Sequence, residues 1–254
     1  MCSKRLVTRI KKRLTKQIDC ANISYAFDVD GTLTECRGTM DQEFKTWFLS
    51  WMKGKTVYLV TGSDRAKTVE QVGKDLVDSC TMVFQCAGNS VWQSGVEVSS
   101  TQLNAPPSMF EYLEEQVESS SYPDQYGNHI ELRTGLINFS TVGRNAVGQQ
   151  RDLYYEWDQR TRERETIAKD FNTKFAGFEA EVGGNTSLDI HLKGRNKAQV
   201  YDVIGAPLVF FGDRMFPGGN DYPLHLRMID PQDQSHAVSH WKQTRNLLQE
   251  LYNE

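Results

Sequence analysis

Nine residues, Ala26-Phe27-Asp28-Val29-Asp30-Gly31-Thr32-Leu33-Thr34, constrain this chain more than any other stretch. The apolar run from Ile23 to Phe27 reads as a buried strand that delivers two carboxylates into a Gly-Thr turn. Open α/β sheets bind ligands at the carboxyl ends of their strands, so Asp28 and Asp30 are expected to project into a site there. On a continuing strand, residues two apart share a face. Here the strand ends, and the loop is free to aim both acids at one substrate atom. Such a pair suits a nucleophile plus a general acid/base, a magnesium site, or both. A plain strand end closed by an Asx turn uses the same residue types, and the downstream sequence has to decide.

Downstream, the same device recurs. Asp41 to Met52 reads as a helix, with Phe44, Trp47, Phe48 and Trp51 on one face, a stripe expected in the core rather than at a ligand. Thr56–Val60 is a second buried strand, ending in Thr61-Gly62-Ser63-Asp64 before a helix that carries Val69, Val72 and Leu76. A small hydroxyl at a strand-to-helix turn can hold a phosphate with backbone N–H groups, or simply cap the helix. Met82-Val83-Phe84 is a third strand, so the rhythm is that of a parallel α/β sheet. The rhythm breaks from about Val96 to Leu192. There the chain offers a helix at Met109–Val117, antiparallel strands at Ile130–Arg133 and Leu136–Phe139, one long polar helix from Leu153 to Phe175, and strands near 178–181 and 188–190. It returns with a helix opening at Lys197 and an apolar strand from Pro207 to Phe211. That strand releases Asp213 into a Gly-rich loop carrying Asp221, a good oxygen ligand set for magnesium. A short strand near Leu226–Ile229 and a helix from about Ser235 to Leu251 close the chain.

The expected architecture is therefore α/β: a Rossmann-like parallel-sheet core, residues 23–95 and 193–254, with an α+β cap domain inserted at 96–192. Residues 1–22 stand apart. Seven basic residues fall between Lys4 and Lys16, and Leu6, Ile10, Leu14 and Ile18 recur every fourth position. This is the pattern of a narrow basic amphipathic helix, expected as an extension with a docking, membrane-surface or targeting role left open. A net charge of −4 gives no reason to expect a nucleic-acid partner. No apolar stretch approaches the roughly 20 residues of a transmembrane span. Five cysteines without Cys-x-x-Cys spacing fit reduced thiols in the cytoplasm better than disulfides or zinc.

Asp28-Val29-Asp30-Gly31-Thr32, Thr61-Gly62-Ser63, Lys197, and Gly212-Asp213 with Asn220-Asp221 together resemble the four motifs of haloacid dehalogenase-like phosphotransferases. The insertion narrows the likeness. Glu131-Leu132-Arg133-Thr134-Gly135-Leu136-Ile137-Asn138, Val142-Gly143-Arg144, Arg151 and Gly183-Gly184-Asn185-Thr186-Ser187-Leu188-Asp189 resemble eukaryotic-type phosphomannomutases, from about Ile23 to the end. The resemblance implies that Asp28 accepts a phosphoryl group and that Asp30 is the acid/base. It implies Ser63 and Lys197 as phosphate holders, and Arg37, Arg133, Arg144, Arg151, Ser187 and Asp189 as substrate contacts. For Mg2+ it implies Asp28, Asp213, Asp221 through water, and the Asp30 backbone carbonyl. A hexose phosphate substrate, a hexose 1,6-bisphosphate activator and a homodimer through the cap follow in the same way. A sugar-phosphate phosphatase and a non-catalytic sugar-phosphate binder of the same fold are the alternatives. The chain departs from the family at Thr61, at Glu35-Cys36 (Pro-Ala in the family), at Gly88-Asn89 (Asn-Gly) and at Arg195-Asn196 (Trp-Asp). The Glu35 charge is expected to lie near a phosphate site.

Overall fold

A computed structural model describes residues 23–252, so the basic helix expected at 1–22 lies outside the described residues. Strand β1 (Ser24–Phe27) sits inside a seven-stranded sheet. The order is β11 (Gln234–Ala237), β10 (Leu208–Gly212), β1, β2 (Thr56–Val60), β3 (Met82–Gln85), β4 (Ser90–Gln93) and β5 (Val96–Ser100). Every pair from β11 to β3 is parallel, and β4 and β5 add an antiparallel edge. A smaller sheet, antiparallel throughout, has the order β6 (Ile130–Arg133), β7 (Leu136–Phe139), β9 (Ser187–Leu192), β8 (Phe178–Gly183). The α/β core and α+β insertion are thus present. The larger sheet takes in β5, the first five residues of the span that the sequence rhythm assigned to the insertion.

The parallel strands are apolar because both faces are covered. On one face, helix α1 (Gln42–Trp51) starts at Asp41, whose carboxylate accepts from Phe44 N at 2.9 Å, a side-chain cap for an otherwise unpaired N–H. Its stripe does bury Phe44, Phe48 and Trp51. The Phe27 ring stacks on Phe211 at 5.0 Å and meets Phe48 edge-on at 5.1 Å. Each fully buried ring of this kind contributes about 2–3 kcal/mol. The other face packs Ala26, Val60, Phe84, Phe210 and Leu224. In the smaller sheet, Ile137, Phe139, Leu188 and Ile190 pack on Met109 and Leu113 of α4 (Pro107–Ser119) and on Phe171.

Several elements differ from the sequence reading. The helix after Ser63 is two, α2 (Arg65–Val72) and α3 (Lys74–Ser79), broken at Gly73 with φ of 86°. The long polar helix is also two, α5 (Gln149–Thr161) and α6 (Glu163–Lys174), separated by Arg162 in the left-handed region at φ 56°. Tertiary bonds hold this break. The buried Asp158 carboxylate accepts from Arg164 N and Arg164 Nε, both at 2.9 Å, and Arg164 Nη1 donates to Gly184 O at 3.0 Å. Lys197–Val200 is a 3₁₀ turn, followed by the short helix α7 (Tyr201–Ile204). The strand expected near Leu226–Ile229 is instead the end of helix α8 (Tyr222–Arg227). The edge strand is the polar Gln-Ser-His-Ala segment β11, paired parallel to β10. The last helix, α9 (Trp241–Leu251), accordingly begins later than Ser235, at a cap from His240.

Removing one partner of a buried ion pair leaves the other charge stranded. Asp158→Ala is therefore expected to cost about 3–5 kcal/mol, read as a lowered midpoint of urea unfolding.

Candidate active site

Three strand ends converge. Asp28 N donates to Phe211 O at 2.9 Å, so the end of β1 is held against β10 just where each releases its acid. Gly31, at φ 79°, lets the loop turn over Asp213; a Cβ there would stand 2.6 Å from Asp213 Oδ2. Gly212 serves the same end, since its Cβ would fall 2.6 Å from Asp221 Oδ2. Lys197 lies beneath, fully buried, with Nζ donating to Asp28 Oδ1 at 2.6 Å and to Asp221 Oδ1 at 2.7 Å. Burial works against its charge, but Asp221 and Asp28 outweigh it and hold the ammonium well above the ordinary lysine value. A buried charge needs such partners.

Asp30 faces a different set of groups. Its carboxylate accepts from Gln71 Nε2 at 2.9 Å, from the Arg37 backbone N–H, and from Ser63 Oγ at 3.5 Å. Thr61 Oγ1 accepts from Ser63 N at 3.0 Å, which shapes the turn that carries the serine.

One carboxylate oxygen from each of Asp28, Asp213 and Asp221 lies within 4.8 Å of the others. Burial pushes the Asp213 carboxyl up to about 7, with Arg214 pulling it down and Asp221 pushing it further up. Hard oxygen donors crowded with excess negative charge fit a divalent cation such as Mg2+. Asp221 has little left to offer directly: Oδ1 accepts from Lys197, and Oδ2 from Arg214 N at 2.9 Å. The Asp30 carboxylate stands outside this cluster.

The smaller sheet closes over the acids. Asp28, Asp30, Arg37, Ser63, Arg133, Arg144, Arg151, Ser187, Asp189 and Asp213 all line one cleft, while Lys197 and Asp221 lie below its floor. Glu131 bridges two of the arginines, accepting from Arg133 Nε at 2.9 Å and Arg144 Nε at 2.8 Å. Arg133 Nη1 also donates to Gly62 O across the cleft at 2.8 Å, and Arg144 Nη1 to Ser187 Oγ at 2.7 Å. Burial and the neighbouring Arg133 and Arg37 charges bring Arg144 down to about 10. Arg151 is buried, and its Nη1 has no hydrogen-bond partner. Guanidinium groups gathered this way, one with a free donor, suit an anionic ligand.

Some residues escaped the sequence reading because their partners come from distant elements. Gln71 reaches Asp30 from α2. Asn138 Nδ2 and Asn220 Nδ2 each hold an oxygen of Asp189, at 2.7 and 3.1 Å. Arg214 pairs with Asp213 at 3.0 Å and reaches Asn185 at 2.6 Å. Asn138 and Asn220 were visible only as parts of their motifs. Glu35 turns away from the cleft to His240, at 2.5 Å, so its charge does not sit where the sequence suggested.

A parallel core with an inserted antiparallel lid, and acids at its strand ends, defines a haloacid dehalogenase-like fold. A haloacid dehalogenase-like hydrolase from Bacteroides thetaiotaomicron superposes with a TM-score of 0.55 at 11% identity, covering 88% of this chain and 98% of that one. IMP-bound IMP-nucleotidase of Plasmodium falciparum gives 0.61 at 16%, covering 89% and 67%. The sequence carries the assignment further. The family model for eukaryotic phosphomannomutase matches residues 45–254. The phosphomannomutase of Drosophila melanogaster is 30% identical over 240 residues, 89% of this chain and 93% of that protein. That of Spinacia oleracea is 32% identical over 208 residues, 78% and 84%. The chain belongs to the eukaryotic phosphomannomutase family.

Glu131 carries a pH signature. Burial pulls its carboxyl up, but the bonds and charges of Arg133 and Arg144 outweigh that and hold it at about 2. A carboxyl held below its unfolded value contributes stability above that value and loses it as pH falls through the folded one. Glu131→Gln is therefore expected to lower the thermal midpoint at neutral pH. The variant's midpoint should then fall less steeply than the parent's from about pH 4.5 toward pH 2.

Proposed function

We propose that this protein is a phosphomannomutase, interconverting mannose 6-phosphate and mannose 1-phosphate through an aspartyl phosphate and a hexose 1,6-bisphosphate. The observation that carries the reading is the arginine set opposite the acids. A phosphatase needs to hold only the phosphoryl group it cleaves. A mutase must also grip the phosphate that is not reacting, and Arg37, Arg133, Arg144 and Arg151 supply that grip beside Ser187 and Asp189.

Asp28 Oδ carries the phosphoryl group between half-reactions. A free hydroxyl of the bound hexose phosphate gives its proton to Asp30 and attacks the phosphorus, and the Asp28–phosphorus bond breaks. The resulting bisphosphate turns end for end. Asp28 then attacks its other phosphate, and Asp30 returns the proton to the departing sugar oxygen, giving the isomeric monophosphate. Gln71 and the Arg37 N–H hold the Asp30 carboxylate for this work. Ser63 holds the transferring group, and Lys197, bonded to Asp28 from beneath the cleft floor, supplies positive charge to it. Asp28 and Asp213, the Asp30 backbone carbonyl, and Asp221 through water would hold magnesium, which when bound would offset the negative charge of the phosphoryl oxygens. A hexose 1,6-bisphosphate primes the enzyme by phosphorylating Asp28.

Residues 96–192 act as the cap, with β5 remaining in the core sheet as its stem. The cap opens for entry and closes to exclude water, which favours return of the phosphoryl group to sugar. Leu132, 67% exposed on the edge strand β6, supports a homodimer formed through the caps. The free thiols Cys36, Cys80 and Cys86 support a reducing compartment, the cytoplasm. Among the described residues no helix is long and apolar enough to cross a membrane.

With mannose 1-phosphate, magnesium and catalytic glucose or mannose 1,6-bisphosphate, mannose 6-phosphate is expected as the main product; inorganic phosphate in its place would convert the assignment to a phosphatase. Removing magnesium with a chelator should stop turnover. Asp28→Asn should abolish both activities. Arg144→Ala should lower mutase kcat/KM by roughly 10–100-fold, the worth of one or two charged hydrogen bonds, while hydrolysis of a small aryl phosphate changes far less.

A further inference from the structure

We propose that Glu179, Glu181 and His191 form a second divalent-metal site, for a first-row transition ion such as zinc or manganese, where the smaller sheet meets Asn196. Glu179 lies directly opposite His191 in the β8–β9 ladder, and Glu181 is two residues along, on the same face. One donor atom from each lies within 4.8 Å of the other two. None of the three takes part in the proposed phosphoryl transfer, and this inference stands apart from it.

Histidine chemistry separates this cluster from an ordinary group of acids. His191 is fully buried, and its Nδ1 stands 3.0 Å from Leu192 O. A carbonyl can only accept, so Nδ1 carries a proton and Nε2 is the nitrogen left to bind a metal. Nε2 faces Glu181 Oε2 at 3.4 Å, and although burial favours the neutral ring, the Glu181 bond and charge outweigh it and raise the imidazole above its ordinary value. A proton therefore lies between the two in the metal-free protein, and a metal ion held by the three side chains would take its place. The side chains bonded to the carboxylates are His191 and Asn196, and neither brings a permanent charge. An imidazole nitrogen with two carboxylates suits zinc or manganese better than magnesium, which prefers oxygen alone.

The surroundings match those of metal ligands. Leu192 O fixes the tautomer and orientation of the ring, as outer partners of ligating histidines do. Asn196 Nδ2 donates to Glu181 Oε1 at 3.0 Å and to Glu179 Oε2 at 3.4 Å, while its Oδ1 accepts from Ala198 N at 3.1 Å. Asn196 precedes Lys197, so a bound ion fastens β8 and β9 to the segment that carries the buried lysine.

The test uses the full chain, stripped with a chelator and then dialysed against zinc with magnesium in large excess. One zinc per chain is expected to be retained. His191→Phe should lose it, whereas Asp28→Asn and Asp213→Asn should keep it. Zinc should also raise the thermal midpoint of Asp213→Asn but not that of His191→Phe. Should His191→Phe fail to fold, Glu179→Gln alters a half-buried side chain and should weaken zinc binding at least roughly 10-fold. Zinc retained equally by all these variants, or lost from Asp213→Asn alone, would overturn the proposal. So would no retention by the unsubstituted protein, which leaves a proton shared between His191 and Glu181.

Discussion

The rest of this structure depends on one buried ammonium group. Lys197 Nζ sits between Asp28 at the end of β1 and Asp221 beyond the end of β10. Without it, the buried carboxylates of Asp28 and Asp221 would lie close together with no ammonium between them, at a cost in stability. The bond joins two segments that are 169 positions apart, with the whole insertion between them. The acid site is thus closed by a residue that returns to the core only after the whole insertion.

The contacts across the cleft are of another kind. Arg133 to Gly62, Arg214 to Asn185 and Asn220 to Asp189 are polar. The two bodies keep largely separate hydrophobic clusters on either side, joined across the seam by Leu136 of β7 packing with Cys86 and Ala87. Polar contacts exchange for water at small net cost, whereas opening an apolar interface would forfeit its burial. The seam is thus mostly polar with one small apolar contact, which suits the opening and closing proposed for the cap.

Much of this was legible in the sequence, for a physical reason. Acids at the ends of apolar strands stand out against their neighbours, so Asp28, Asp30, Asp213 and Asp221 could be picked out one strand at a time. The arginines could not: Arg133, Arg144 and Arg151 look like surface residues until their spacing is set against a family. Least legible were groups whose meaning is their partner. Gln71 is an ordinary helical glutamine until Asp30 meets it, and Arg214 sits unremarked beside a motif until Asn185 is placed. The misread elements follow the same rule. Gln234–Ala237 has no apolar pattern and is a strand because β10 offers it a free edge. The break at Arg162 is set by Asp158 and Arg164 rather than by any helix-stopping residue. Gly73, by contrast, was a signal in plain view.

The Glu131 bridge has a consequence for how tightly this cleft can hold anything. Arg133 and Arg144 are never bare; a carboxylate built into β6 already occupies part of each fork. In the proposed mutase reading an incoming phosphate replaces one anion with another, and the gain is the difference between the two. A protein selected only for affinity would leave such forks empty. Here, in that reading, the resident carboxylate caps the grip and stands ready to reclaim the guanidinium groups as the ligand lifts away. The bisphosphate proposed above, which lets go, rotates and rebinds within one cleft, would need a hold with that built-in limit.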